Sequence, residues 1–248
     1  MIRVFERRQA RSPDEDNPYW ISFSDIMAGL LVIFILACVL LIIKLSTMEE
    51  RIHDAIKEIQ NANQIRATML VEIREHLAKQ GIIVEISENY SVLRIPDERL
   101  YFDSLCYEIP DDKKKLLADI GYALFDAIIK NQRHIYIDTI FIEGHTDSRK
   151  AVSLEMGNWG LSSYRAIAVW KFWSEQLEIG PAFMELKNSY GKPLFSVSGY
   201  AATRPLVKND NTTQKQRKNR RIDLRFSMKK PVISEYESVL NIMEIFTD

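Results

Sequence analysis

The sequence predicts a single N-terminal transmembrane α-helix prolonged by a helical stalk, followed by one α+β domain built as an α/β sandwich. Three observations predict it. No charged residue lies between Ile26 and Ile43, apolar side chains recur every three or four positions from Met48 to Leu77, and beyond Gly81 short strand-like runs alternate with longer helix-like ones. The boundaries that follow are a polar tail at 1–17, a membrane helix at 18–45, a helical linker at 46–80, the α+β domain at 81–230 and an amphipathic tail at 231–248.

A helix from Trp20 to Ile43 is about 36 Å long, enough to cross a hydrocarbon core of about 30 Å with some tilt. Pro18 suits its first turn, and Tyr19 and Trp20 suit the membrane interface. A cleavable signal peptide does not fit, because the run is long, an acidic "SPDEDNP" segment precedes it and no small-residue cleavage site follows Ile43. Arg3, Arg7, Arg8 and Arg11 before the helix are balanced by Lys44, Arg51 and Lys57 after it, so charge alone leaves the orientation open.

In the linker, Met48, Ile52, Ile56, Ile59, Ala62, Ile65, Met69, Ile73 and Leu77 form a narrow stripe with Glu, Lys, Arg and Gln between them. Such a stripe is buried either against a copy of itself in a parallel dimer, the favoured expectation, or along its own globular domain. Asn63 beside it either fixes the register of a dimer or is solvated. Gly81 ends the helix. The runs "IIVEIS" (82–87) and "YSVLRI" (90–95) then read as strands joined by a tight "EN" turn. Helical periodicity follows at 113–129 and 161–177, with strands at 134–145, 194–200 and 220–228, giving about 150 residues of domain, an ordinary size.

The chain carries 33 basic and 34 acidic residues for a net charge of -1, which gives no reason to expect a direct nucleic-acid partner. Its two cysteines, Cys38 in the apolar run and Cys106 far beyond it, support neither a disulfide framework nor a metal site. Nor does the chain contain a legible nucleophile-base pair, metal cluster or phosphate-binding loop, so neither an enzyme nor a bound cofactor is expected. His145 has no second histidine nearby and no cysteine or carboxylate at ligand spacing, and reads as a structural residue of its turn.

Four blocks carry a resemblance: "IEGHTD", "NWGLSSYRA", "SVSGYAATRP" and "NRRIDLRF", in that order, with "LRIPDERLYFDS" upstream ending in Phe102 and Asp103. Together, over roughly residues 82–228, they resemble the OmpA-like peptidoglycan-binding domain of outer-membrane protein A, the Pal lipoproteins and the stator protein MotB. The resemblance assigns Asp147 and Arg165 to the ammonium and carboxylate of one diaminopimelate centre. An acid at a strand end, facing solvent above the sheet, and a fork-shaped cation across a groove suit such a zwitterion. It also gives Asn158 a bond to the peptide, Leu161 a place in the pocket wall, and Asn219, Arg220 and Arg221 a supporting role. Taken alone, the Asp-Arg pair reads equally as a surface salt bridge of little weight and Asn158 as a helix cap. The segment "SRKAVSLEMG" between Asp147 and Asn158 is longer than the usual loop.

Asp25 lies about 7.5 Å into the apolar helix, counted from Trp20. A boundary acid at that depth is physically possible, whereas an acid facing a partner helix or wet cavity can bind and release an ion, with Ser22, Ser24, Ala28 and Gly29 leaving room for close packing or water. "WISFSDIM" with its apolar run resembles the ion-carrying helix of MotB-type stators, and the uninterrupted helix beyond it is most similar to the ZorB family of the Zorya anti-phage system. That resemblance implies an inner-membrane B subunit, N-terminus cytoplasmic and domain periplasmic. It implies a dimer inside about five copies of a multi-span MotA/ZorA-like subunit, with Asp25 carrying a proton or sodium ion. A flagellar stator and a passive tether between membrane and wall are the alternatives.

Overall fold

The computed structural model describes residues 18–97, 100, 102 and 106–231. The expectations for residues 1–17, for Asp103 and for most of the segment 231–248 lie outside them. The chain divides into two compact units, one ending at Asp54 and the other beginning at Ala55.

The first unit is helical throughout its described residues. Helix α1 spans Pro18–Lys79, and its most apolar 18-residue window has a mean hydropathy of 3.3 with none of it buried. Among the described residues this is the one helix long and apolar enough to cross a membrane. Leu30, Ile33, Phe34, Leu40 and Ile42 are all exposed, so the helix is apolar all round, as a lipid-facing segment is.

In the second unit the linker stripe divides. Met69, Leu70, Ile73 and Leu77 are fully buried in the domain core and Ala62 nearly so. Ile56 and Ile59 remain exposed, as do Met48 and Ile52 in the first unit. The C-terminal part of the stripe therefore lies along its own domain, which shortens the seam left for a second copy to four apolar residues. Outside the stripe, Glu72 reinforces this attachment by taking Nη1 and Nη2 of Arg133 at 2.8 and 3.0 Å and Nζ of Lys130 at 3.1 Å.

After Gly81 (φ 77°), strands β1 (Glu85–Ser87) and β2 (Val92–Pro96) form an antiparallel hairpin. Its turn is longer than the predicted two residues, with Glu88, Asn89 and Tyr90 all in the left-handed region. Helix α2 (Asp111–Ile129) leads through a turn to β3 (Ile137–His145), then come α3 (Gly157–Lys171), α4 (Gly180–Glu185), β4 (Phe195–Gly199), α5 (Thr213–Asn219) and β5 (Arg221–Met228). The sheet order is β1-β2-β5-β3-β4, antiparallel except for the β3-β4 pair. The short helices α4 and α5 were not anticipated, because "TQKQRKN" offers no apolar stripe and six residues are too few to show a period.

Alternation along the strands sorts the two faces of the sheet. Leu93, Ile95, Ile140, Ile142, Ile222, Leu224 and Phe226 pack with Leu117, Ile120, Leu124 and Ile128 of α2, with Ala166 and Val169 of α3, and with Trp173 just beyond it. The Trp173 indole N–H donates to the Leu117 carbonyl at 2.8 Å. The opposite face carries Arg94, Glu143, Asp223 and Arg225. Gly144 lets β3 and α3 meet: a Cβ there would fall 2.0 Å from the Ser162 carbonyl oxygen, so a side chain would push the helix off the sheet. This contact fixes the start of α3 beside the loop that leaves β3 at Thr146 and Asp147.

Candidate functional site

At that junction a groove of about 380 Å³ is lined by Asp147, Arg149, Lys150, Leu161, Arg165 and Arg220, with Phe102, Thr146, Ala151, Asn158, Thr213 and Arg217 completing it. Five cationic side chains against one carboxylate make it attractive to anions, while Asp147 supplies one point for a cation. Asp147, Leu161, Arg165 and Arg220 are thus brought together from β3's exit loop, α3 and the residue after α5.

Asp147 does not face solvent as its strand-end position suggested; it is 4% exposed. Oδ1 accepts the Arg149 backbone N–H at 3.0 Å, Oδ2 accepts Nη2 of Arg149 at 2.7 Å, and Nη1 of Arg220 reaches Oδ2 at 2.8 Å. Burial alone would raise its carboxyl above the usual range, but the hydrogen bonds from Arg149 and Arg220 outweigh burial and hold it lower. Arg220 is in turn gripped in bidentate fashion by Asp97, at 3.2 and 2.7 Å. This fixes its fork between two acids, with all three guanidinium nitrogens already donating.

Arg165 is buried under Phe102, its guanidinium carbon 4.9 Å from the ring centroid, and its Nε donates to the Cys106 carbonyl at 3.0 Å. Burial lowers its pKa to about 10, so it remains cationic at neutral pH. Asn158 lines the groove but its amide is engaged by the loop. Nδ2 donates to the carbonyls of Asp147 and Arg149 at 3.3 and 2.9 Å, and Oδ1 accepts the Ala151 N–H at 3.0 Å. It therefore shapes the Asp147–Ala151 loop, in place of the ligand bond expected for it.

Asn219 and Arg221 do not line the groove. The Asn219 amide accepts from the N–H groups of Leu206 and Val207 at 2.9 Å and donates to the Val207 carbonyl and Asp210, all at 2.9 Å. Arg221 donates to Asp223 and to the carbonyls of Asn219 and Arg204, each at 3.0 Å. Both are buried structural residues that hold the segment before β5. Residues the sequence reading missed are Arg149, Lys150, Thr213, Arg217 and, behind the groove, Asp97.

His145 is 2% exposed and stacked on Tyr200 at 5.4 Å, and neither ring nitrogen has a hydrogen-bond partner. Burial, aided by Arg221, lowers its pKa to about 3, so the ring is neutral. The fold does bring carboxylates to it, since ligand atoms of Glu143, His145 and Asp223 lie within 4.8 Å of one another. Those carboxylates are already neutralised: Asp223 binds Arg94 at 2.9 and 3.0 Å and Arg221 at 3.0 Å, and Glu143 binds Arg225 at 2.7 and 3.1 Å. A divalent cation there would have to displace or repel three guanidinium groups, which makes the cluster a poor metal site.

In the first unit Asp25 is exposed, and Ile21, Ser22, Ser24 and Ala28 line the same shallow surface of α1. Ser22, Ala28 and Gly29 lie three or four residues from Asp25, so three of its four helical neighbours are small and the fourth is Ile21.

A family model for OmpA matches residues 101–220, a span that takes in Asp147, Asn158, Leu161, Arg165, Asn219 and Arg220 and stops one residue short of Arg221. The C-terminal domain is OmpA-like. The chain is 24% identical over 206 residues to a Zorya protein ZorB of Escherichia coli, covering 81% of this chain and 84% of the relative. A second ZorB, from Escherichia coli O139:H28, is 25% identical over 169 residues, 64% of this chain and 66% of the relative. Among solved structures, a MotB-like protein from Desulfovibrio vulgaris superposes with a TM-score of 0.51 at 20% identity, covering 68% of this chain and 98% of its own. That likeness extends the OmpA-like fold assignment.

Proposed function

We propose that this chain is the peptidoglycan-anchored B subunit of an ion-driven rotary stator acting in anti-phage defence. The observation that carries the reading is the union, in one chain, of an apolar helix holding a single carboxylate and an OmpA-like domain holding an Asp147 and arginine groove. Similarity to ZorB across 81% of the chain supports the defence setting. In this reading α1 crosses the inner membrane once, with the N-terminus cytoplasmic and the domain periplasmic. Two copies associate within a ring of multi-span A-type subunits, and the translocated ion is a proton or sodium.

The groove suits diaminopimelate of the stem peptide. Its ammonium would take the place of Arg149 on Asp147, and its carboxylate would lie toward Arg165 and Arg220. Arg149 already occupies Asp147, so the ligand competes with a contact that is exposed on the arginine side and buried on the carboxylate side. Sedimentation of the full-length protein in detergent with purified peptidoglycan sacculi tests the reading. Asp147→Asn is expected to weaken binding at least about ten-fold, as loss of a partly buried charge contact does. Arg149→Ala is expected to strengthen it by roughly two- to five-fold, the size of one exposed ion pair. Unchanged binding by Asp147→Asn would remove the ammonium role.

A further inference from the structure

Beside the Asp147 groove lies a second depression that no part of the reading above uses. Arg165, which lines the groove, donates its Nε to the carbonyl of Cys106, and Cys106 itself lines the neighbouring depression of about 550 Å³. A tyrosine adjoins each of these two residues: Tyr107 follows Cys106, and Tyr164 precedes Arg165 on α3. The two rings lie 5.2 Å apart, tilted by 40°, and are 43% and 44% exposed. An exposed, mutually supported aromatic pair at the lip of a binding groove presents flat apolar faces with polar edges, the arrangement suited to an amphipathic ring.

Charge separates the two depressions. Where the Asp147 groove carries an excess of cations, here Lys114 is paired with Asp111 at 2.6 Å and Lys171 with Glu175 at 3.6 Å, leaving Glu108 and the amide of Gln176 among the polar lining. A surface with paired charges, aromatic faces and several hydrogen-bonding groups favours a neutral, hydroxyl-rich ligand over an anion. We infer that the Tyr107–Tyr164 depression binds a sugar ring of the glycan strand whose stem peptide occupies the Asp147 groove. The inference rests on the cell-wall reading above, and the adjacency of the two depressions, with Tyr164 lining one and Arg165 the other, is what selects a glycan over an unrelated ligand. The apolar C–H face of a pyranose lies on the tyrosines, and its hydroxyl and acetamido groups meet Gln176, Glu108 and the phenol oxygens.

The test compares two soluble probes on the full-length protein in detergent, by calorimetry: a stem tripeptide containing diaminopimelate, and the same tripeptide on its N-acetylglucosamine–N-acetylmuramic acid disaccharide. The wild type is expected to prefer the disaccharide form by about five- to ten-fold, the scale of one or two aromatic contacts. Tyr107→Ala with Tyr164→Ala is expected to erase the preference while leaving tripeptide affinity within about two-fold, and Tyr107→Phe with Tyr164→Phe to keep most of it. Both positions are exposed, and an unchanged urea midpoint verifies that the variants fold. No preference in the wild type, or a preference that survives the double alanine change, overturns the inference. Binding of the disaccharide form without the tripeptide would keep the sugar site and sink the stem-peptide anchor, whereas binding of neither probe sinks both.

Discussion

Replacing Asp223 by alanine is expected to destabilise the OmpA-like domain by about 3–5 kcal/mol, the usual cost of breaking a buried ion network by removing one partner. Asp223 is 1% exposed and sits in the middle strand β5, directly opposite Arg94 on β2 and Glu143 on β3. It takes two bonds from Arg94 and one from Arg221, so alanine would strand two buried guanidinium groups on the charged face of the sheet. Glu143, fully buried and bound to Arg225, cannot turn to serve them without abandoning its own partner. Against a typical total of about 5–15 kcal/mol, such a loss leaves the domain marginal. Urea unfolding of the full-length protein in detergent measures it, and a drop below about 1 kcal/mol would mean the network contributes little.

Carboxylates paired with arginine, on that face and on α1, also predict acid lability. Burial alone would raise the Asp223 carboxyl, but Arg94 and Arg221 outweigh it and the net shift is downward. Hydrogen bonds from Arg133 hold Glu72 at about 2, against 4.5 in the unfolded chain. Stability from these lowered carboxylates is complete above about pH 4.5 and falls as pH drops toward 2. His145 acts in the same direction over a higher window: its folded value of about 3 lies below the ordinary 6.5, so proton uptake favours the unfolded chain from about pH 6.5 downward. The unfolding midpoint is therefore expected to decline from near pH 6.5, and His145→Gln to flatten the upper part of that slope.

Much of this was legible because it is local. The apolar run, the three-four stripe and the strand alternation each depend on residues a few positions apart, and α1, α2, β3 and β5 lie close to where those periods place them. What escaped the sequence depends on distant partners. Asp97 and Arg220 are 123 residues apart and meet only because β2 pairs with β5. The resemblance gave the N-R-R block a supporting role with at least one arginine at the groove, and of its three residues Arg220 is the one that lines it. Period two already puts Arg221 with Asp223 and Arg225, on the charged face, and Arg220 on the other side of the chain. Arg149 was visible two residues after Asp147, but a loop arginine reads as solvated until its backbone N–H and guanidinium are seen on one carboxylate. The dimer seam was overestimated for a related reason: period tells that a stripe is buried, and only the fold tells that Met69 to Leu77 are buried against their own domain.

Asp25→Asn is expected to abolish function while leaving the protein intact. The amide has the same shape as the carboxylate and is less costly in an apolar helix, so expression, membrane insertion and sacculus binding should be unchanged. What it lacks is the ability to take up and release a cation. If the chain works by ion passage beside α1, phage protection by the variant falls to the level of a deletion strain, and plaque counts rise by orders of magnitude. A tether makes the opposite prediction: it tolerates the variant, and it tolerates replacement of residues 20–43 by another apolar helix. A flagellar stator would show its deficit in swimming, with phage sensitivity unaltered. The discriminating measurement is plaque formation and swimming in one strain set carrying wild type, Asp25→Asn and Asp147→Asn. Loss of protection in both variants, with sacculus binding lost only in Asp147→Asn, separates the ion step from the anchor, because the two carboxylates belong to different units of the chain and fail for different physical reasons.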